Sequence, residues 1–133
     1  MMERPTAAAN QHSTIVCIVD DDASVRKSLS NLLRSAGYHA QLFASGDAFL
    51  ADDNLEDIAC LLLDLHMPGL SGIDVMRELS RRARQFPVIC MSAHWDEATL
   101  AQSFHYQAVH CLYKPFDEEA LLKAIESVIH SEN

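Results

Sequence analysis

Four short apolar runs in this chain each lead into polar residues that can bind a metal ion or a phosphoryl group. In chain order, the runs and the polar residues that follow them are Ile15–Val19 with Asp20, Asp21 and Asp22, Ile58–Leu63 with Asp64, Val88–Met91 with Ser92, and Val109–Tyr113, apolar but for His110, with Lys114, which Pro115 follows. Short apolar runs separated by helical segments are typical of strands buried in a parallel sheet. Because ligands of open α/β sheets bind at the carboxyl ends of the strands, these groups are expected to share one edge.

The carboxylates of this set indicate a hard divalent cation. Asp20, Asp21 and Asp64 would repel one another if all three were ionised in a dry pocket. Mg²⁺ or Mn²⁺ would relieve that repulsion, since these ions prefer carboxylates, carbonyls and water. One aspartate could then act as a nucleophile and form an acyl phosphate, with Lys114 and the Ser92 hydroxyl holding phosphoryl oxygens. A single aspartate after a strand is equally explained as a helix cap, so the inference depends on the whole set.

The hydrophobic pattern predicts five strands that alternate with five helices. The predicted strands are Ile15–Val19, Tyr38–Phe43, Ile58–Leu63, Val88–Met91 and Val109–Tyr113. The predicted helices are Ala23–Ala36, Gly46–Ala51, a helix capped by Ser71 that runs to about Arg84, a helix from about Trp95 to Tyr106 with Leu100 and Phe104 as apolar anchors, and a helix capped by Asp117 that runs through Ile129. Right-handed crossovers turn this order into a flavodoxin-like (βα)5 three-layer sandwich with strand order 2-1-3-4-5. We expect residues 1–13 to be a flexible tail and residues 14–130 to be one domain.

Composition restricts the partners and the location of the domain. The 133 residues include 19 acidic and 10 basic side chains, for a net charge of −9. Direct binding to nucleic acid is not expected, because phosphate neutralisation dominates such affinity. No apolar stretch approaches the ~20 residues that span a bilayer, so no membrane association is expected. The four cysteines all fall inside predicted strands without CxxC spacing, which favours a reducing cytoplasm over a disulfide or zinc framework.

The motifs strongly resemble the receiver domain of two-component response regulators. The matching segments are Val19-Asp20-Asp21-Asp22, Leu63-Asp64-Leu65-His66-Met67-Pro68 with Gly72, Ser92-Ala93, and Lys114-Pro115-Phe116. The resemblance covers about residues 14–130, and the residues after the acidic run and after Asp64 look most like FixJ-type receivers.

The resemblance implies a phosphoryl-acceptor site with defined roles. Asp64 would be the phosphoacceptor, and Asp21 would bind Mg²⁺ directly, with Asp20 helping directly or through water. The backbone carbonyl of His66 would be the third protein ligand of the metal. Lys114 would contact the phosphoryl group, and its bond to the following proline is typically cis in this family. Gly72 would allow the turn into the third helix.

The resemblance also implies a switch that departs from the usual pattern. Ser92 would be the hydroxyl that moves to the acyl phosphate. The family usually has an aromatic residue three positions before the lysine, and here that position is Cys111. Tyr113 lies on the same strand face by its period-two spacing, and our hypothesis is that it takes part of the aromatic role. We therefore expect the readout at the fourth helix and fifth strand to differ from the usual one.

Three other residues near the site have open interpretations. His66 and His94 stand at positions that flank the phosphoryl group in receivers. Either they make autodephosphorylation pH-dependent, because histidine titrates near neutrality, or they are solvated loop histidines. Trp95 is expected to open the fourth helix, and it serves either as a contact surface or as local packing.

The function implied by the resemblance is a phosphorylation-activated switch rather than a turnover enzyme. A histidine kinase or phosphotransfer protein would supply the phosphoryl group, and the domain would catalyse its own phosphorylation and dephosphorylation. The signal would pass through the face of the fourth helix, fifth strand and fifth helix to an unknown protein target or to a homodimer formed on phosphorylation.

The alternatives are a receiver fragment of a longer DNA-binding regulator and a phosphorylation-independent pseudo-receiver. An aspartate-based phosphohydrolase is disfavoured because His66 occupies the place of its general acid. A nucleotide or flavin module is disfavoured because glycine-rich phosphate motifs are absent from the sequence.

Overall fold

The computed structural model describes residues 14–52 and 57–130, which form an α/β sandwich around one parallel sheet. The strands are β1 (Ile15–Val19), β2 (His39–Phe43), β3 (Ile58–Asp64), β4 (Val88–Ser92) and β5 (His110–Tyr113). The helices are α1 (Ala23–Ser35), α2 (Gly46–Leu50), α3 (Gly72–Arg81), α4 (Glu97–His105) and α5 (Glu118–His130). All strand pairs are parallel, and the strand order is β2-β1-β3-β4-β5. The predicted fold class and strand order are confirmed, whereas the predicted tail at 1–13 lies outside the described residues.

The sheet separates two apolar layers, which explains why its central strands read as continuous apolar runs. In β3, Leu61 and Leu63 face the layer that contains α2 and α3, whereas Cys60 and Leu62 face the layer that contains α1 and α5. Leu33 of α1 is fully buried in that second layer. Alternate residues of a strand point to opposite faces, so each of these strands must be apolar throughout.

The ends of β3 and β4 extend one residue further than predicted, and this brings polar side chains into the sheet. Asp64 pairs with Met91, and Ser92 pairs with Tyr113. Strand pairing therefore holds the backbone of these two residues, and their side chains emerge at the carboxyl edge beside the β1–α1 loop.

Helix α3 begins with a capping box and ends earlier than predicted. The Ser71 hydroxyl accepts a hydrogen bond from Asp74 N at 3.1 Å, and the Asp74 carboxylate accepts one from Ser71 N at 3.0 Å. The helix stops at Arg81, because Ala83 has a φ of +58° and reverses the chain. The prediction that this helix continues to about Arg84 was therefore wrong by a turn.

The prediction for α4 was wrong in two respects. Asp96 caps the helix by accepting a hydrogen bond from Thr99 N at 2.7 Å, so Trp95 precedes the helix instead of opening it. Phe104, expected as an apolar anchor together with Leu100, is 51% exposed, and Leu100 is 37% exposed. Ser103 is the buried residue of this helix instead, and its hydroxyl donates to Thr99 O at 3.0 Å. The helix therefore turns a small polar residue toward the sheet, and its larger apolar side chains remain in contact with solvent.

None of the described helices is both long enough and apolar enough to cross a membrane.

Candidate functional site

Three carboxylates meet at the carboxyl edge of the sheet. One carboxylate oxygen from each of Asp20, Asp21 and Asp64 lies within 4.8 Å of the other two. The pairing of Val19 with Leu63 places the ends of β1 and β3 side by side, which brings these residues together across more than 40 positions of sequence. Asp20 and Asp64 are buried, whereas Asp21 is exposed to solvent.

The three consecutive aspartates after β1 have different surroundings. The fully buried Asp20 accepts a hydrogen bond from Asp22 N through Oδ1 at 2.9 Å, and its backbone carbonyl accepts one from Arg26 Nη1 at 2.7 Å. The side chain of Asp22 accepts hydrogen bonds from Ser24 N at 2.9 Å and from Val25 N at 3.4 Å, and so caps α1. These backbone hydrogen bonds lower the pKa of Asp22. Asp22 is therefore a structural cap, and Asp20 and Asp21 are the residues that face the site.

Lys114 connects the carboxylates through its ammonium group. Its Nζ lies 2.6 Å from Asp20 Oδ2 and 3.5 Å from Asp64 Oδ2. The backbone N–H of Lys114 donates to Ser92 O at 2.9 Å, which fixes the start of the β5–α5 loop, and the bond from Lys114 to Pro115 is cis, as the resemblance implied. Burial alone would lower the pKa of Lys114, but its hydrogen bond to Asp20 and the charge of Asp64 raise it above its ordinary value.

The environment of Asp64 disfavours its ionised form. Burial and, next, the negative charge of Asp20 raise the pKa of Asp64 from 3.8 to about 6, although Lys114 and the hydrogen bond from His66 N oppose this effect. The hydrogen bond from His66 N to Asp64 Oδ1 is 3.3 Å long. At neutral pH the residue is largely ionised, so the ammonium group of Lys114 contacts two carboxylates of a cluster of three.

This donor set fits a hard divalent cation. The candidate ligands are carboxylate oxygens whose mutual repulsion is only partly balanced by Lys114, and a dication would remove the excess negative charge. The contribution of the His66 backbone carbonyl stays a prediction. Thiolate ligands are not part of this group, and the four cysteines are free.

The hydroxyl of Ser92 is held by three hydrogen-bond contacts. Ser92 is fully buried, its Oγ donates to His94 O at 2.8 Å, and it accepts from His94 N at 3.1 Å. The Oγ also lies 2.8 Å from Nδ1 of His66. A hydroxyl has one proton to donate, and here the His94 carbonyl receives it. All three contacts are hydrogen bonds when Nδ1 of His66 carries a hydrogen and donates to Ser92; in the other neutral tautomer, Nδ1 would compete with the His94 carbonyl for the hydroxyl proton. Sequence reasoning placed His66 near the site but did not predict its contact with this hydroxyl.

The side chains of His66 and His94 lie close to each other. Their rings are 6.4 Å apart and nearly perpendicular, at 84°. Both are exposed. The hypothesis that His66 and His94 make dephosphorylation pH-dependent stays a prediction.

Two of the four residues predicted for the switch, Cys111 and Tyr113, lie on β5. Cys111 is half-buried, pairs directly with Cys90 of β4, and packs against the layer that contains α3. Tyr113 is 63% exposed, and its ring lies 6.4 Å from that of Trp95 at 82°. The indole N–H of Trp95 donates to Leu112 O at 3.1 Å. Trp95 can reach β5 because it lies in the loop before α4 and not within the helix. A hydrophobic periodicity in the sequence does not indicate such a contact, so the role of Trp95 was left open.

A groove of about 670 Å³ lies at the opposite, amino edge of the sheet. Its lining includes Ile58, Phe86, Val88, Tyr106 and Val128, and it contains none of the predicted site residues. The clustered charges thus lie away from this concavity, as expected for a site at the carboxyl ends of the strands.

Comparison with known proteins agrees with this geometry. The family model described as the response regulator receiver domain matches residues 16–126. Response regulator protein TodT of Pseudomonas putida is 38% identical over 120 residues, which cover 90% of this chain and 53% of TodT. Transcriptional regulatory protein FixJ of Bradyrhizobium diazoefficiens is 37% identical over 116 residues, which cover 86% of this chain and 56% of FixJ.

A solved structure extends the comparison to three dimensions. The structure of response regulator StyR matches with a TM-score of 0.83 and 40% identity, over 89% of this chain and 60% of that chain. The chain spans about half the length of the curated relatives it matches. With its sheet order and its acidic edge, the chain belongs to the family of response regulator receiver domains, the phosphorylation-activated switches of two-component systems.

Proposed function

We propose that Asp64 accepts a phosphoryl group from a phosphohistidine of a histidine kinase or phosphotransfer protein in a Mg²⁺-dependent reaction. The observation that carries this proposal is the position of Lys114 Nζ, 2.6 Å from Asp20 and 3.5 Å from Asp64. A cation at this distance can follow the phosphoryl oxygens as negative charge builds up on them. Receiver domains bind a divalent metal at an acidic pocket and interact with a histidine kinase or phosphotransfer partner.

The chain's own groups would perform the transfer as follows. An oxygen of the Asp64 carboxylate forms a bond to phosphorus while the bond from phosphorus to the imidazole nitrogen of the donor breaks, and the imidazole keeps the electron pair. Asp20, Asp21, Asp64 and the backbone carbonyl of His66 would hold Mg²⁺ or Mn²⁺. The bound cation would offset charge and orient phosphoryl oxygens. Lys114 leaves Asp64 for a phosphoryl oxygen but stays near Asp20.

Dephosphorylation would use the same site: the oxygen of a water molecule bonds to phosphorus, the bond from phosphorus to the Asp64 oxygen breaks, and inorganic phosphate leaves with the protons of the water, which restores the Asp64 carboxylate. We infer that the domain catalyses both steps on itself and does not turn over a separate substrate, because the phosphoryl group is attached to its own side chain. His66 and His94 lie beside the hydroxyl of Ser92 and are positioned to influence the lifetime of the phosphoryl group.

The signal would pass from Ser92 to the surface of α4, β5 and α5. Phosphorylation adds roughly −1.5 to −2 charges and new acceptor oxygens, which attract the Ser92 hydroxyl. Cys111 and Tyr113 lie on β5 directly beside β4, so a change at Ser92 reaches them across one strand pair. We expect the recipient to be a protein target or a second copy of the domain, and the net charge of −9 disfavours direct contact with nucleic acid. The free cysteines are suited to a reducing cytoplasm.

A second candidate is the same switch acting inside a longer transcriptional regulator. FixJ is described as a transcriptional regulatory protein, and the matched region is 56% of its length. In that case α4, β5 and α5 would contact a DNA-binding domain of the same polypeptide, and the chemistry at Asp64 would be the same.

Intact mass after incubation with acetyl phosphate and Mg²⁺ tests the proposal. We expect a phosphoryl adduct in the wild type, its absence when Mg²⁺ is chelated, and its absence in Asp64→Asn. Asp22→Asn is the matched control, because Asp22 caps α1 and does not face the site, and it should still form the adduct. A folded wild type that forms no adduct would favour a phosphorylation-independent pseudo-receiver. An adduct in Asp64→Asn would show that another residue is the acceptor.

A further inference from the structure

Trp95 links the loop after β4 to the strand β5. It is the single tryptophan of the chain and lies between Ser92, the last residue of β4, and Asp96, the cap of α4. Its indole N–H donates to Leu112 O at 3.1 Å, and its ring meets the edge of the Tyr113 ring at 6.4 Å and 82°. A single half-buried side chain therefore holds two successive residues of β5 from outside that strand.

The same loop is held at its other end by the hydroxyl of Ser92. That hydroxyl donates to His94 O at 2.8 Å and accepts from His94 N at 3.1 Å. The carbonyl of His94 belongs to the peptide group that joins it to Trp95. When the Ser92 hydroxyl turns toward a phosphoryl group on Asp64, this peptide group loses its partner. The backbone that positions the indole is then free to move.

Cys111 and Trp95 lie against the same apolar layer. Cys111 is small and half-buried, and both it and Trp95 pack against the apolar layer that contains α3. Trp95 therefore adds to this layer an aromatic group from the β4–α4 loop, three residues after the switch hydroxyl. Tyr113 is 63% exposed and contacts the indole, so it can follow Trp95 outward.

We propose that Trp95 is the residue that couples the Ser92 hydroxyl to β5: the indole leaves Leu112 and Tyr113 when the hydroxyl leaves His94. The inference rests on the proposed function of Asp64 as the phosphoacceptor. In the unphosphorylated domain the two sets of contacts support each other, because both restrain residues 92–95. Phosphorylation breaks the first set and thereby releases the second, which changes the exposed surface where β5 meets α4.

The single tryptophan makes its own displacement measurable. Emission spectra and acrylamide quenching would be recorded on the full chain with Mg²⁺ alone and then with acetyl phosphate, and intact mass would be measured on the same samples. We expect emission to move to longer wavelength and quenching to increase in proportion to the phosphoryl adduct, because the indole becomes more exposed. Adduct formation with unchanged emission and quenching would overturn the coupling and leave the proposed function intact. Absence of any adduct would overturn the proposed function, and the coupling with it.

Two variants separate coupling from a direct effect of the phosphoryl group on the indole. In Ser92→Ala, the spectral change per phosphoryl group attached should fall sharply, whereas Ser92→Thr, which keeps a hydroxyl, should restore it. An equal change per phosphoryl group in Ser92→Ala and wild type would overturn the proposal. Trp95→Phe removes the N–H donor, and hydrogen exchange in β5 should then respond less to phosphorylation. An unaltered exchange response in Trp95→Phe would also overturn it.

Discussion

Lys114 and Asp20 form a contact of 2.6 Å between residues that are 94 positions apart in the sequence. The Asp20 side chain has no solvent exposure, and that of Lys114 is 20% exposed. The carboxylate depends on this ammonium group, because water cannot reach it to stabilise its charge. The same ammonium group lies 3.5 Å from Asp64. The ammonium group of Lys114 therefore serves both the stability of the fold, through Asp20, and the proposed phosphoryl transfer, through Asp64.

We expect Lys114→Met to destabilise the metal-free domain. The substitution keeps much of the apolar stem but leaves the buried Asp20 with its hydrogen bond from Asp22 N and without a cation, and breaking a buried ion pair in this way costs roughly 3 kcal/mol. Urea unfolding in the presence of a chelator at neutral pH would measure this loss. Lys123→Met is the control, since Lys123 is exposed on α5, and it should unfold like the wild type. Equal stability of Lys114→Met and wild type would show that Asp20 does not need the ammonium group.

Asp64→Asn should stabilise the metal-free domain at neutral pH. A carboxyl group whose pKa is raised from 3.8 to about 6 holds its proton more tightly when folded, so the stability of the wild type falls as pH rises through this interval. The amide of the variant cannot ionise, so the variant keeps the stability that the wild type loses. This difference in the free energy of unfolding amounts to roughly 1 to 3 kcal/mol at neutral pH. The difference in stability should shrink as pH falls and vanish below the ordinary pKa of 3.8, where the wild-type carboxyl is protonated in both the folded and the unfolded state.

Urea unfolding of Asp64→Asn at a series of pH values, with chelator present, checks this expectation. Glu126→Gln removes a charge from an exposed position of α5 and serves as the control. If the free energies of unfolding of Asp64→Asn and wild type differ by the same amount from acidic to neutral pH, the raised pKa of Asp64 is not the cause of the difference.

Asp21→Ala should abolish stabilisation by Mg²⁺, whereas Asp22→Ala should preserve it. A ligand that binds only the folded state at about 100 times its dissociation constant stabilises by about 2.7 kcal/mol. Asp21 belongs to the carboxylate cluster, but Asp22 accepts hydrogen bonds from Ser24 N and Val25 N at the start of α1.

Thermal unfolding with and without Mg²⁺ separates the two adjacent roles. Asp22→Ala should lower the transition temperature in both conditions, because α1 loses its cap, and should keep the shift caused by the metal. A full Mg²⁺ shift in Asp21→Ala would remove that residue from the proposed ligands.

Gly72→Ala should destabilise the fold because its methyl group has no room. A Cβ at this position would lie 2.5 Å from Leu65 Cδ2, 2.7 Å from Asp64 O and 2.8 Å from Leu65 Cα. Two of these atoms belong to the backbone that carries Asp64, so relief requires a backbone shift and costs about 1–3 kcal/mol. Gly72 is thus required by the close approach of α3 to the end of β3.

Urea unfolding of Gly72→Ala measures this cost, with Ser80→Ala at an exposed position of α3 as the control. We also expect slower formation of the phosphoryl adduct in Gly72→Ala, since the carbonyl of Asp64 must move. Wild-type stability in Gly72→Ala would mean that the chain absorbs the methyl group without strain.

The sequence by itself determined the order of the elements, the sheet topology and the edge at which the site lies. Buried parallel strands are apolar throughout, so Ile58–Asp64 and its neighbours are visible as runs, and the handedness of crossovers leaves few arrangements for them. Each run ends beside a polar residue, and the carboxyl ends of parallel strands meet. Asp64, Ser92 and Lys114 could therefore be assigned to one edge from local patterns alone.

Only the tertiary structure decided which partner each of these residues has. Asp20, Asp21 and Asp22 are identical in type, and what separates them is depth of burial and the approach of Lys114 from β5. Because Asp96 caps α4, Trp95 lies in the preceding loop, and from there its indole N–H reaches Leu112 O. Burial and hydrogen bonding between distant segments depend on the packing of the whole chain, whereas periodicity and capping patterns report only the residues nearby.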